Sequence, residues 1–352
     1  MNPLRPSKLH DLLSGRRRGA AAGLLRFGLR LTETPYTWAV GCRNWRYDHR
    51  PAAVHRVDVP VISVGNLTLG GTGKTPMVEW LAHWFRSRKV RVAIVSRGYG
   101  AEAGALSDEA RQLQQKLPDV PYLQNPDRVA AARQASAQRQ CQLILLDDAF
   151  QHRRIGRNLD IVMLDALEPF GFGHVFPRGT LREPISGLRR ADVVALSRAD
   201  MLSPPQREEI RRQVERYAPH CLWVEVAHAA RVLTCFTARE EPLSSLLGKP
   251  VAAFCGVGNP AGFRHTLAAS GFEVVELREF PDHHRYSHRD LASLGDWTDR
   301  LEVAAVLCTE KDLVKIEQDD LGGQPLWAVR VGLDFLAGRE AFEAKLTSLL
   351  PT

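Results

Sequence analysis

The feature that most constrains this chain is Val61-Ile62-Ser63-Val64-Gly65-Asn66-Leu67-Thr68-Leu69-Gly70-Gly71-Thr72-Gly73-Lys74-Thr75-Pro76. An apolar run leads into a glycine-rich turn, then Gly-Lys-Thr, then a helical pattern. Glycine lets the backbone curl until successive N–H groups face one point, which suits a phosphate. A helix starting there adds the positive end of its dipole. Residues 68–75 (Thr68, Leu69, Gly70, Gly71, Thr72, Gly73, Lys74 and Thr75) are therefore expected to cradle a nucleoside triphosphate. Lys74 would reach the β- and γ-phosphates and the Thr75 hydroxyl would face Mg²⁺. The loop departs from the usual pattern at one place: Thr68 stands where a glycine is ordinary, and the doubled Gly70-Gly71 lies beside it.

Both flanks support a strand–turn–helix unit. Val59, Val61, Ile62 and Val64 read as a buried strand. Met77, Trp80, Leu81, Trp84 and Phe85 recur at helical spacing on one face. Further apolar strands are expected at 90–96, 143–147, 161–165 and 193–197, with helical stretches such as 127–139 between them. This alternation predicts an α/β, P-loop NTPase-type layered domain with a mostly parallel sheet. The pattern loosens at 219–245, which reads as a linker, and α/β alternation resumes from 251 to 331. The expected organisation is an N-terminal segment over 1–56, a P-loop core over 57–228 and a smaller C-terminal α/β domain over 229–352.

Charge is unevenly spread. Of a net +7, residues 1–56 contribute a surplus of eight, with eleven Lys/Arg against Asp11, Glu33 and Asp48. The rest of the chain is close to neutral, which argues against a general nucleic-acid binder. In 16–31, Leu24, Leu25, Phe27, Leu29 and Leu31 spread over an apolar arc, with Arg16, Arg26 and Arg30 on the other side. Tyr36, Trp38, Trp45 and Tyr47 follow. A basic amphipathic helix with interfacial rings can lie on anionic lipid. Docking on the domain is the nearest competing reading, and a cleavable export signal with paired arginines is disfavoured because Arg26 and Arg30 interrupt its apolar core. Six scattered cysteines with no C-x-x-C pair suit neither a disulfide framework nor a zinc site.

Several other clusters carry chemistry. Leu143-Ile144-Leu145-Leu146-Asp147-Asp148 ends an apolar strand in two carboxylates, the arrangement that holds Mg²⁺ beside a phosphate loop. Gln151 and His152 add polar groups to the same rim. Arg97, after the 90–96 strand, either neutralises a transferring phosphate or is a turn residue. Residues 281–288 hold His283, His284 and His288 without zinc spacing. Gly256-Val257-Gly258-Asn259-Pro260-Ala261 nominally fits a dinucleotide loop and reads better as a tight turn. Ser197-Arg198-Ala199-Asp200 follows a strand as a guanine-reading loop would, with Ser and Arg in place of Asn and Lys.

Taken together, the motifs at 65–76, 96–100, 147–152, 177–184, 281–283 and 309–312 resemble those of the tetraacyldisaccharide 4'-kinase family. The resemblance implies an enzyme that moves the γ-phosphate of ATP, with Mg²⁺, to the 4'-hydroxyl of a lipid disaccharide 1-phosphate. It implies Asp108 as general base partnered by His283, with Lys74 and Arg97 also catalytic. It implies Mg²⁺ near Thr75, Asp147, Asp148 and Glu183, and substrate contacts from Glu109, Gln151, His152 and Arg178. Asp108 and His283 fall on opposite sides of the expected domain boundary, so the pair would meet only on closure. The implied setting is peripheral or monotopic attachment to anionic lipid at the cytoplasmic face of the inner membrane. No obligate protein partner is expected. A P-loop ATPase or switch protein at the membrane, or a non-enzymatic nucleotide-binding adaptor, would share the loop but need neither Asp108 nor the His283 loop.

Overall fold

The computed structural model describes residues 6–98, 108–282 and 284–351. Ten helices follow one another along them: α1 (Pro6–Leu13), α2 (Ala20–His49), α3 (Lys74–Arg86), α4 (Asp108–Lys116), α5 (Arg128–Arg139), α6 (Pro204–Glu215), α7 (Pro260–Ala269), α8 (His288–Thr298), α9 (Glu310–Ile316) and α10 (Arg339–Thr347). The chain divides into two compact units. The first comprises Met1–Arg97, Val120–Val226 and Phe335–Thr352, and the second Gly98–Asp119 and Ala227–Asp334.

The sheet of the first unit uses β1 (Val61–Asn66), β2 (Val92–Ser96), β3 (Tyr122–Gln124), β4 (Leu143–Asp147), β5 (Leu159–Asp165), β6 (Val193–Ser197) and the start of β7 (Leu222–Thr234). They lie in the order β7-β6-β5-β1-β4-β2-β3, and every adjacent pair is parallel. Every residue of β1, β2, β4, β5 and β6 is buried, which is why these strands read as continuous apolar runs rather than alternating ones. The centre of the sheet is β1, flanked by β4 and β5. Ligands in such sheets sit beyond the carboxyl ends of the central strands, and β1, β4, β5 and β6 deliver Asn66, Asp147, Asp165 and Ser197 there.

The second unit pairs β9 (Pro250–Cys255) with β10 (Glu273–Glu279) and β11 (Ala305–Thr309), and β11 with β13 (Gln324–Ala337), all parallel. The two-residue strands β8 (Glu240–Glu241) and β12 (Asp320–Leu321) add antiparallel edges to β7 and β13. The supposed linker at 219–245 is mostly one 13-residue strand, β7. Its middle is half-buried rather than apolar, so periodicity alone breaks it into two.

The division departs from a single boundary near 228 in two places. Helix α4 belongs with the second unit, because Lys116 pairs with Glu310 of α9 at 2.6 Å and Gln112 donates to the same carboxylate at 3.2 Å. Helix α10 returns to the first unit, where Phe342 stacks on Trp80 of α3 with ring centroids 5.7 Å apart. Both choices rest on partners far away in sequence.

Helix α2 is 30 residues long, about 45 Å at 1.5 Å per residue. One face docks. Glu33 accepts from the Val175 amide at 2.8 Å and pairs with His174. Asn44 donates to Glu183 at 2.9 Å, and Asp48 takes Arg153 and Arg189 at 2.7 and 2.8 Å. The other face keeps Leu24, Phe27, Leu31, Trp38 and Trp45 more than half exposed. Their spacing of three, four, seven and seven residues sets them in one stripe. Among the described residues no helix is long and apolar enough to cross a membrane.

Candidate active site

The glycine-rich turn is built between β1 and α3. Gly65 lets β1 pass close to the next strand's end: a Cβ there would stand 2.6 Å from the Phe150 backbone nitrogen. Asn66 donates to the Thr68 carbonyl at 2.8 Å. The departure at Thr68 has a structural use, since Thr68 is buried and bridges antiparallel to Leu181. The Leu69 amide donates to the Thr180 carbonyl and the Arg182 amide to the Leu67 carbonyl, both at 2.7 Å. The first half of the loop is thus a short two-stranded ladder, which a flexible glycine at 68 would weaken. The second half turns at Gly70 (φ +112°) and at Gly73 (φ +82°), the left-handed residue that starts α3.

Lys74 and Thr75 open α3, and the Lys74 Nζ lies 3.6 Å from an Asp148 carboxylate oxygen. Asp148 follows β4 with φ +49°, a conformation that costs energy for a non-glycine residue and that persists where function needs it. Arg182 grips its carboxylate with both oxygens at 2.8 and 2.9 Å. Burial pushes the Asp148 carboxyl up, but Lys74 and Arg182 outweigh it and hold the group below its ordinary value. It is therefore a carboxylate at neutral pH. Arg128, first residue of α5, is buried and donates to the Asp148 carbonyl at 2.9 Å. Arg97 is exposed after the carboxyl end of β2. Its charge acts on Arg128, so the two guanidinium groups border one rim.

These residues fit a Mg²⁺–triphosphate. A Cβ at Gly70 or Gly71 would meet nothing within 4 Å, so space stands open against the loop backbone. The buried Thr72 Oγ1 has no hydrogen-bond partner among the described residues. A Mg²⁺ beside a triphosphate is bound through one or two carboxylates and the substrate's phosphates. Thr75, Asp147 and Asp148 could supply that protein share.

Other expected residues have different surroundings. Glu183 was expected near the metal, yet it is fully buried and its oxygens accept from Arg190 (2.8 and 2.9 Å), Asn44 (2.9 Å) and Gln151 (3.0 Å). Wholly buried beneath these partners, the carboxylate braces α2 against the 183–190 turn. Gln151 spends its amide on Glu183 and on the Asn66 carbonyl at 2.8 Å. Arg178 was expected on the substrate, and it donates to the Leu13 carbonyl at the end of α1, 3.0 Å away. Asp108 and Glu109 form the first turn of α4, and their side chains, like His283, lie outside the described residues. Since α4 belongs to the second unit, Asp108 is carried by the same unit as the 281–288 loop rather than by the nucleotide-loop unit. The Gly256 turn ends β9, and Asn259 caps α7 by accepting from the Gly262 amide at 2.8 Å, which makes it a helix start.

His152 carries a pH dependence. Burial first, then the charges of Arg128, Arg157 and Arg154, push its pKa from 6.5 down to about 4. Between those values the unfolded chain binds a proton that the folded chain refuses. The neutral ring's full contribution is present above pH 6.5 and is lost as pH falls toward 4. The variant His152→Gln is expected to flatten the drop in Tm between pH 7 and 4.5. Thermal melts across that range check it, and an unchanged slope contradicts it.

Comparison with known proteins bears on this geometry. The chain matches the family described as "LpxK: Tetraacyldisaccharide-1-P 4'-kinase" over residues 25–351. The chain belongs to the tetraacyldisaccharide 4'-kinase family. It is 41% identical to the tetraacyldisaccharide 4'-kinase of Anaeromyxobacter dehalogenans strain 2CP-1, over 95% of this chain and 93% of that one. It is 35% identical to the tetraacyldisaccharide 4'-kinase of Halothermothrix orenii, over 90% and 89% of the two chains. Among solved structures it resembles the "apo" form of LpxK from Aquifex aeolicus in complex with ATP. That likeness has a TM-score of 0.72 and 28% identity, and it covers 93% of this chain and all of that one. Membership in this kinase family agrees with the α/β P-loop fold and with a loop that fits ATP.

Proposed function

We propose that this chain transfers the γ-phosphate of ATP to the 4'-hydroxyl of a tetraacyldisaccharide 1-phosphate, the lipid A 4'-kinase reaction. The observation that carries the reading is Lys74 at the start of α3, in ion-pair reach of the strand-end Asp148, in a chain of this family. Lys74 and the amides of the loop hold the phosphates, and Arg97 lies on the same rim as a further cation. Thr75, Asp147 and Asp148 would hold Mg²⁺, which when bound would supply neutralisation of the charge on the phosphates. Asp108 accepts the proton of the sugar hydroxyl, and His283 orients that carboxylate. Gln151 and Glu183 act behind the loop, as structural braces.

The test is acceptor dependence. Labelled ATP is incubated with the protein in detergent, with and without the lipid disaccharide. Label is expected in lipid only when acceptor is present. Equal ATP turnover without acceptor would favour a switch-type ATPase, and none in either case a binding adaptor.

The exposed stripe on α2 supports peripheral work on anionic lipid at the cytoplasmic face of the inner membrane. Its rings and leucines enter the interface while the surplus of Lys/Arg near it meets lipid headgroups. Leu24→Glu with Leu31→Glu and Trp38→Glu is expected to lower binding to anionic vesicles at least tenfold and leave ATP affinity unchanged. Wild-type binding is expected to weaken with salt. Vesicle co-sedimentation checks both, and undiminished binding by the variant contradicts the role of this face.

A further inference from the structure

The pair Ser197-Arg198 stands behind the phosphate loop, and its contacts concern the loop's carbonyls. Ser197, fully buried at the end of β6, donates its hydroxyl to the Thr72 carbonyl at 2.9 Å. Arg198 donates one guanidinium nitrogen to the Gly71 carbonyl at 3.0 Å and another to Asp165 at 2.8 Å. Asp165 is paired with Ser197 across the β5–β6 ladder. Its other oxygen accepts the Leu167 amide at 3.1 Å, so the carboxylate is fixed from both sides. Arg198 adopts φ +55°, the left-handed region that a non-glycine residue occupies at a cost.

In a trans peptide the carbonyl of one residue and the N–H of the next point to opposite sides. Pinning the Gly71 carbonyl onto Arg198 turns the Thr72 N–H the other way. Pinning the Thr72 carbonyl onto Ser197 does the same for the Gly73 N–H. Sterics cannot do this work, since nothing lies within 4 Å of a Cβ at Gly70 or Gly71 and glycines are conformationally free.

We propose that Ser197, Arg198 and Asp165 are positioning residues that clamp the loop carbonyls outward and thereby aim the Thr72 and Gly73 amides at the nucleotide's phosphates. The clamp rests on the reading of residues 68–75 as a nucleotide loop. It sets triphosphate affinity before any acceptor binds, and Asp165 acts only through Arg198.

The test measures MgATP binding to the full chain by calorimetry without lipid, together with hydrogen exchange at the Thr72 and Gly73 amides. Ser197→Ala and Arg198→Ala are each expected to weaken MgATP binding about tenfold, the worth of a buried or charge-assisted hydrogen bond. Both should speed exchange at those amides while circular dichroism without nucleotide still reports a folded chain. Asp165→Asn should weaken binding alone and add little to Arg198→Ala, as coupled residues do. Arg198→Lys should restore only part of the affinity, since an ammonium lacks the planar fork that spans both acceptors. If Arg198→Ala does not fold, Ser197→Ala, which removes a single oxygen, decides the matter. Wild-type affinity and exchange in Ser197→Ala and Arg198→Ala would overturn the clamp and leave the loop reading intact. Failure of the wild-type chain to bind MgATP would overturn both.

Discussion

Lys74→Ala is expected to lower kcat at least a thousandfold while the protein keeps its fold. Charge on a transferring phosphoryl group is stabilised chiefly by fixed cations, and single groups of this kind are worth about 10³-fold or more. The fold should survive because Asp148 does not depend on Lys74 alone. Arg182 holds both of its carboxylate oxygens, so removing the ammonium leaves no uncompensated charge. Steady-state kinetics with lipid acceptor, beside circular dichroism, make the comparison. A variant with wild-type turnover would take the loop out of the reaction.

Asp108→Ala and His283→Ala should each reduce kcat by about 10²- to 10⁴-fold, the usual worth of a general base. Groups that act as one unit lose activity together, so the double variant should be little worse than the poorer single one. MgATP affinity should hold in all three. The segment carrying Asp108 and the 281–288 loop belong to one compact unit, where a boundary near 228 would have divided them. That loop has its own supports: Tyr286 donates to the buried Asp312 at 3.0 Å, and His284 stacks on Phe280 with centroids 4.8 Å apart. Fully multiplicative losses in the double variant would argue that Asp108 and His283 act separately.

What the sequence made legible was local. The strands at 143–147 and 193–197 match β4 and β6 residue for residue, because central parallel strands are apolar throughout and end at a carboxylate or a hydroxyl. The glycine turn, the helix after it and the strand-end Asp147-Asp148 pair were readable for the same reason. What stayed hidden was who meets whom. Arg128 and Arg190 carry no motif, yet one is tied to the Asp147-Asp148 backbone and the other neutralises Glu183. Glu183 entered the expected metal set only through the family resemblance, and nothing in its turn-rich loop signals an asparagine 139 positions away. Ser197-Arg198 looked like a failed base-reading loop, and its contacts are with the phosphate loop's own carbonyls. Helix α2 read as either lipid-facing or domain-docked. It docks on one face and leaves Leu24, Phe27, Leu31, Trp38 and Trp45 exposed on the other, which periodicity over 16–31 alone could not separate.

The central claim is the position of phosphate transfer. The purified chain is incubated with MgATP and tetraacyldisaccharide 1-phosphate, and the lipid product is examined by phosphorus–proton correlation NMR. The account predicts one new phosphomonoester coupled to the proton on the 4'-carbon, formed with one ADP per phosphate. A new phosphate coupled to any other sugar proton, or ATP consumed with all label recovered as inorganic phosphate, would contradict it.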